Sequence, residues 1–149
     1  ADTFVADTFV ADTFVADTAK PDTGPVTCTD PGGKLYNGHC YFPLTVVNGD
    51  AAKTACEGKG AHLVTLTSAG EQTSVAALRP GTDRWIGLRS TTASSMPSAF
   101  KWITGETVGY ANWGGGQPNN SGQCVVMRSD GTWNDRDCAE TNETICERE

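Results

Sequence analysis

No stretch of the 149-residue sequence approaches the ~20 apolar residues that a membrane-spanning helix requires, and no basic start followed by an apolar middle marks a signal peptide. Basic residues are scarce too: 11 Lys and Arg stand against 18 Asp and Glu, a formal charge of −7. That balance argues against nucleic acid or an anionic bilayer as the main partner, since both demand a basic face. Histidine occurs twice, at His39 and His62, with no Ser or thiol placed to pair with either, so nucleophilic catalysis has no residues behind it and no enzyme is expected. Close Cys-x-x-Cys pairs of the kind used by zinc ribbons and dithiol redox sites are missing as well. The six Cys are instead spread over a short chain, which predicts three disulfides and an oxidising, extracellular location. The length allows one domain plus a tail, and a start at Ala1 reads as a processed chain or a fragment.

Residues 1–15 are three identical copies of Ala-Asp-Thr-Phe-Val, followed by a partial copy to Thr18 and a linker-like stretch over 19–27 that contains Pro21, Gly24 and Pro25. All six Cys lie beyond this tail. It carries five Asp against Lys20, so four of the seven net negative charges belong to it. A five-residue period advances about 500° on an α-helix, so Phe4, Phe9 and Phe14 would spiral around it and form no stripe. On a strand the odd period sends successive Phe to opposite faces, giving two equivalent half-apolar faces. Two readings follow for the pentapeptide-type repeat over 1–18: a flexible stalk, or an extended β-segment that stacks with copies of itself into a homo-polymer or filament.

From Cys28 to Glu149 the chain reads as a disulfide-bonded α+β domain. The run from Leu35 to Phe42 predicts an early strand pair closed by Cys28 and Cys40. Asp50 is placed to cap a helix over 51–59 that buries Cys56 and ends at Gly60. Ser68 and Glu71 have capping-box spacing, which predicts a second helix from Ala69 to about Leu78, before Pro80. Trp85-Ile86-Gly87-Leu88, Phe100-Lys101-Trp102 and Val125-Val126-Met127 read as short strands. Between Gly105 and Gln123 lies a long segment rich in Gly, Asn and Pro, of the kind that is usually functional. Trp85, Trp102, Trp113 and Trp133 are expected to anchor core and loops. Trp113, beside Gly114-Gly115-Gly116, is the one placed to face a ligand.

Several marks stand together in order: Tyr36-Asn37-Gly38-His39-Cys40-Tyr41, Gly60-Ala61-His62-Leu63-Val64, Trp85-Ile86-Gly87-Leu88, Asn112-Trp113, Gln117-Pro118-Asn119 and Trp133-Asn134-Asp135, with Cys138 and Cys146 closing. Over about 28–147 the chain resembles a C-type lectin-like domain of the long form. The resemblance implies two helices plus antiparallel sheets with a long loop region. It also implies disulfides Cys28 to Cys40, Cys56 to Cys146 and Cys124 to Cys138, where the cysteine count alone leaves fifteen pairings open.

In the family's sugar-binding members a calcium ion and its protein ligands hold two vicinal sugar hydroxyls. The resemblance carries four ligand positions over to Gln117, Asn119, Asn134 and Asp135, with Pro118 expected in a cis peptide bond. The pattern departs from the family's in two places. Gln117-Pro118-Asn119 is neutral at both ends, and Gly122 stands two residues before Cys124, where the family has a Glu ligand. Asp135 is then the only carboxylate, which predicts a weak calcium site or none. Three functions stay open: a secreted, calcium-assisted lectin binding glycans or cell-surface glycoproteins, a calcium-independent protein-binding or cell-adhesion module, and a subunit of an extracellular filament.

Overall fold

The computed structural model describes residues 24–149, so the repeat over 1–18 and its stalk and filament readings lie outside the described residues. The described chain opens with a hairpin of β1 (Lys34–Tyr36) and β2 (His39–Asn48). Its two-residue turn places Asn37 at φ 48° and Gly38 at φ 82°, the left-handed pair that a tight hairpin requires. Next come α1 (Gly49–Glu57), β3 (His62–Leu63), α2 (Ala69–Ala76) and β4 (Arg84–Arg89). After a 3-10 turn, β5 (Lys101–Trp102), β6 (Cys124–Met127), β7 (Trp133–Arg136) and β8 (Thr141–Arg148) complete the order.

Helix α1 starts earlier than its expected cap. Asn48, at the end of β2, is the N-cap, and its side chain accepts the Ala51 N–H at 2.8 Å. Asp50 lies inside the first turn and pairs with Arg89 at 2.6 Å. In α2, Ser68 caps as expected by accepting the Glu71 N–H at 3.1 Å. The Glu71 carboxylate, however, reaches past the cap to accept the Thr67 N–H at 2.6 Å and ends buried, which carries it from the helix surface into the interior. The helix stops at Ala76, two residues short of Leu78.

The sheet runs β1-β2-β8-β4-β6-β7, with β3 beside β8 and β5 beside β4. It is mixed rather than antiparallel throughout, because β4 and β8 pair in parallel through Arg84 with Glu143 and Trp85 with Thr144. Both faces are covered. Alternation along β4 and β6 sends Ile86, Val125 and Met127 into a cluster with Tyr41, Val75 and Trp133, and sends Trp85 and Val126 into a second cluster with Phe42, Ala52 and Cys56. Burial on both faces explains why β4 and β6 read as continuous apolar runs. The disulfides are Cys28 to Cys40, Cys56 to Cys146 and Cys124 to Cys138.

Candidate functional site

The long loop between β5 and β6 is held against the β6–β7 hairpin, and helix α2 fixes that hairpin from behind. Gln72 donates its amide to the Gly131 carbonyl at 3.0 Å and accepts the Trp133 indole N–H at 2.8 Å. Asn112 donates to the same Gly131 carbonyl at 2.8 Å, and its own carbonyl accepts the Trp133 N–H at 2.8 Å. The Gly114 N–H then donates to the Trp133 carbonyl at 2.9 Å, and the Gln117 N–H to Gly114 at 3.0 Å, delivering Gln117 to the strand that carries Asn134 and Asp135. The Gln117–Pro118 bond is cis.

Within this frame Asp135 is fully buried, and its carboxylate is surrounded by backbone amides. Oδ1 accepts the Asn119 N–H at 2.9 Å, and Oδ2 accepts those of Ser121 at 2.6 Å and Gly122 at 3.2 Å. Three charge-assisted bonds satisfy a buried carboxylate without a cation and fold the loop over it. A carboxylate accepts about four such bonds, so one acceptor position of Asp135 stays open. Two amide oxygens at the other expected ligand positions are in the opposite condition: Gln117 Oε1 and Asn134 Oδ1 are buried and have no hydrogen-bond partner. Asn119 Oδ1 accepts from the exposed Ser121 hydroxyl.

The missing Glu has a structural counterpart. A Cβ added to Gly122 would overlap the Arg136 carbonyl and the Asp137 N–H, so no larger residue fits this backbone. The loop has closed where a side-chain ligand would have stood. The donors that remain are oxygens only, three neutral and one anionic, which suits a hard cation held weakly. A cation there would be held by Gln117, Asn119, Asn134 and Asp135, and its chemistry would be to accept sugar hydroxyl oxygens beside those side chains.

Trp113 is half-buried and stands apart from these oxygens. Its ring packs edge-on against Phe100 at 5.1 Å and against Trp133 at 6.0 Å. It lines a cavity of about 500 Å³ with Phe100, Lys101 and Val108, whose walls include none of the four oxygen-bearing residues. Trp85, Trp102 and Trp133 are buried.

A second polar cluster was not foreseen from the sequence. Glu71 and Glu147 are both buried and meet at Tyr41, whose hydroxyl donates to Glu71 and lies 3.5 Å from Glu147. Glu147 also pairs with His39 at 2.5 Å and accepts from the Thr65 N–H at 2.9 Å and hydroxyl at 3.1 Å. Burial, first of all, raises the Tyr41 hydroxyl pKa, and the Glu71 bond and the charge of Glu147 add to this, so it stays a donor. The only signal in the sequence was a Glu directly after the last Cys.

The family model for the lectin C-type domain matches residues 45–148. The chain belongs to the C-type lectin domain family. It is 34% identical over 120 residues to C-type lectin domain family 4 member G of Mus musculus, covering 76% of this chain and 40% of that protein. The chain spans between 26% and 40% of the curated relatives' length. Among solved structures, the carbohydrate-recognition domain of cow CD23, determined in the presence of GlcNAc2Man3 oligosaccharide, matches with a TM-score of 0.73 at 29% identity, covering 82% of this chain and 95% of that one. A calcium-independent type II antifreeze protein matches with a TM-score of 0.74 at 28% identity, covering 85% and 97%. The C-type lectin fold, with two helices on a mixed sheet, is thus shared by a neighbour determined with an oligosaccharide and by one described as calcium-independent. The relatives are C-type lectins and lectin-like receptors, which are non-enzymatic binding modules. Among the described residues no helix is long and apolar enough to cross a membrane.

Proposed function

We propose that residues 28–149 form an extracellular carbohydrate-binding module whose site is the loop face of Gln117, Asn119, Asn134 and Asp135, with calcium assisting weakly. The observation that carries the reading is the pair of buried, unpartnered oxygens, Gln117 Oε1 and Asn134 Oδ1. An unsatisfied buried acceptor costs about 1–3 kcal/mol, so two of them at the expected ligand positions favour a ligand that brings hydroxyl protons, a cation, or both. Vicinal sugar hydroxyls with calcium supply both. The one remaining carboxylate sets the cation's affinity in the millimolar regime of extracellular modules, about 10⁻⁴–10⁻³ M. The ligand class is glycans or glycoproteins on cell surfaces, presented to a domain that residues 1–27 attach as tail and linker.

A second reading, calcium-independent binding, is favoured by Asp135 itself, because its three backbone bonds already satisfy the charge that calcium would meet. An immobilised glycan panel probed with the full chain, in millimolar calcium and again in chelator, separates the two. Sugar binding that weakens about tenfold or more in chelator supports the first reading. Unchanged sugar binding supports the second, and binding to no glycan in either buffer overturns the proposal.

A further inference from the structure

Trp113, the tryptophan placed to face a ligand, lies in the wall of a cavity of about 500 Å³, away from the four loop oxygens. That volume is within the range of about 300–1,000 Å³ in which small-molecule sites fall. One wall comes from the 3-10 turn and β5, through Phe100 and Lys101, and the other from the start of the long loop, through Glu106, Thr107, Val108 and Trp113. Gly105, at φ 83° and with its N–H on the Trp102 carbonyl at 3.0 Å, makes the turn from β5 into that loop. Phe100 is buried, Val108 and Trp113 pack on the same core cluster, and the Phe100 and Trp113 rings meet at 5.1 Å. The apolar wall is thus fixed by the core before a ligand arrives, which lowers the ordering cost of binding.

The polar groups of the cavity are less engaged than the apolar ones. The indole N–H groups of Trp85 and Trp133 are bonded inside the fold, to Val47 and Gln72, and that of Trp102 is buried without a partner. Trp113 differs from all three: it is half-buried, and its indole N–H is neither bonded among the described residues nor sealed from solvent. Lys101 is exposed and has no ion-pair partner among the described residues. Glu106 accepts the Thr104 hydroxyl with Oε1 at 2.9 Å, and its Oε2 accepts from none of the described residues.

Lys101 and Glu106 supply one charge of each sign, so the cavity offers no net charge to an ion. With two free donors and a free acceptor it is too polar for a purely apolar guest. It matches a neutral group that carries an acceptor, a donor and an apolar part together. The acetamido group of an amino sugar has that composition: its carbonyl accepts, its N–H donates and its methyl seeks an apolar surface. The pyranose hydroxyls beside it both donate and accept, which suits Lys101 and Thr107.

We propose that this cavity is a second sugar subsite, independent of any cation, that takes an acetamido-bearing pyranose such as N-acetylglucosamine. The methyl rests on Phe100, Val108 and Trp113, the carbonyl accepts from the Trp113 indole N–H, and the amide N–H donates to Glu106. The Gln117 N–H bond to the Gly114 carbonyl closes a turn, which keeps the Cα atoms of Trp113 and Gln117 within ~11 Å. A glycan held at the loop oxygens can therefore continue into the cavity. The subsite itself needs neither those oxygens nor calcium, so it stands apart from the proposed loop site.

Nuclear magnetic resonance of the full, oxidised, isotope-labelled chain in chelator tests it, with N-acetylglucosamine as the probe and glucose as the control. The indole signal that Trp113→Phe removes identifies Trp113. That signal is expected to shift saturably with N-acetylglucosamine, at a Kd on the order of millimolar, while the Trp85 and Trp133 signals stay in place. Glucose, which lacks the methyl and the amide, is expected to bind about tenfold or more weakly. Glu106→Ala is expected to weaken N-acetylglucosamine about fivefold or more with the Trp85 and Trp133 signals intact. Gln117→Ala is expected to leave the Trp113 shift as it is, even where it abolishes binding at the loop oxygens. No saturable shift of Trp113 overturns the proposal, as does an equal response to glucose. A shift that Gln117→Ala removes also overturns it, by assigning the sugar to the loop site.

Discussion

At Asp135 a buried negative charge is held by three peptide N–H groups, and this one side chain accounts for the shape of the loop that carries Gln117 and Asn119. Its role is local and structural before any ligand arrives. Replacing it with Ala would strand three loop amides, those of Asn119, Ser121 and Gly122, at a cost of roughly 3 kcal/mol. Urea unfolding of Asp135→Ala in chelator should show that loss. A variant as stable as the natural chain in chelator would contradict the role of loop staple. The identity of these residues was legible in the sequence, through the Gln-Pro-Asn and Trp-Asn-Asp patterns. What Asp135 bonds to was not, because its partners are peptide groups whose positions only the folded loop defines. The absent Glu was legible, but the reason that nothing larger than Gly fits at Gly122 lies in the Arg136 carbonyl across the hairpin.

Among the elements, α2, β2 and β8 are joined by the Glu71, Tyr41, Glu147 and His39 cluster rather than by apolar packing alone. Burial pulls the His39 pKa down, but the hydrogen bond to Glu147 and the charges of Glu147, Glu149 and Glu71 outweigh it and leave it raised above 6.5. A raised folded-state pKa contributes stability that is fully present below the unfolded value of 6.5 and is lost as pH rises through the folded value. The melting temperature of the natural chain should therefore fall relative to His39→Gln as pH is raised above 6.5. A constant gap between the two chains over that range would contradict the coupling. At this scale the helices were legible to within two residues, since the cap at Ser68 and the break near Pro80 act through adjacent backbone, whereas the cap of α1 is Asn48 and not the expected Asp50. Strand β8 was not, although it lies between β2 and β4. Thr-Asn-Glu-Thr-Ile-Cys-Glu-Arg has no strand-like apolar pattern. Its buried Glu147 is satisfied by His39 and Thr65, far away in sequence. Its parallel pairing with β4 likewise depends on a crossover that local residues do not encode.

For the whole molecule, four of the seven net negative charges belong to the tail, and the lectin fold itself is nearly balanced. The acidity of the chain is thus no measure of its capacity for cations. The Cys56 to Cys146 bond closes 90 residues and ties α1 to β8, while Cys124 to Cys138 closes 14 and clamps the hairpin that bears the site. A rigid frame of this kind lets the loop and strand keep two amide oxygens buried and unpaired. The central claim is that Gln117 Oε1 is one of those ligand-binding oxygens. Isothermal titration of the best-bound glycan from the panel into the full chain and into Gln117→Ala, in millimolar calcium, tests it most directly. The account predicts that Gln117→Ala weakens sugar binding about tenfold or more, the equivalent of one lost ligand bond of ~1.4 kcal/mol, at an unchanged melting temperature. Equal affinity for the two chains would contradict it.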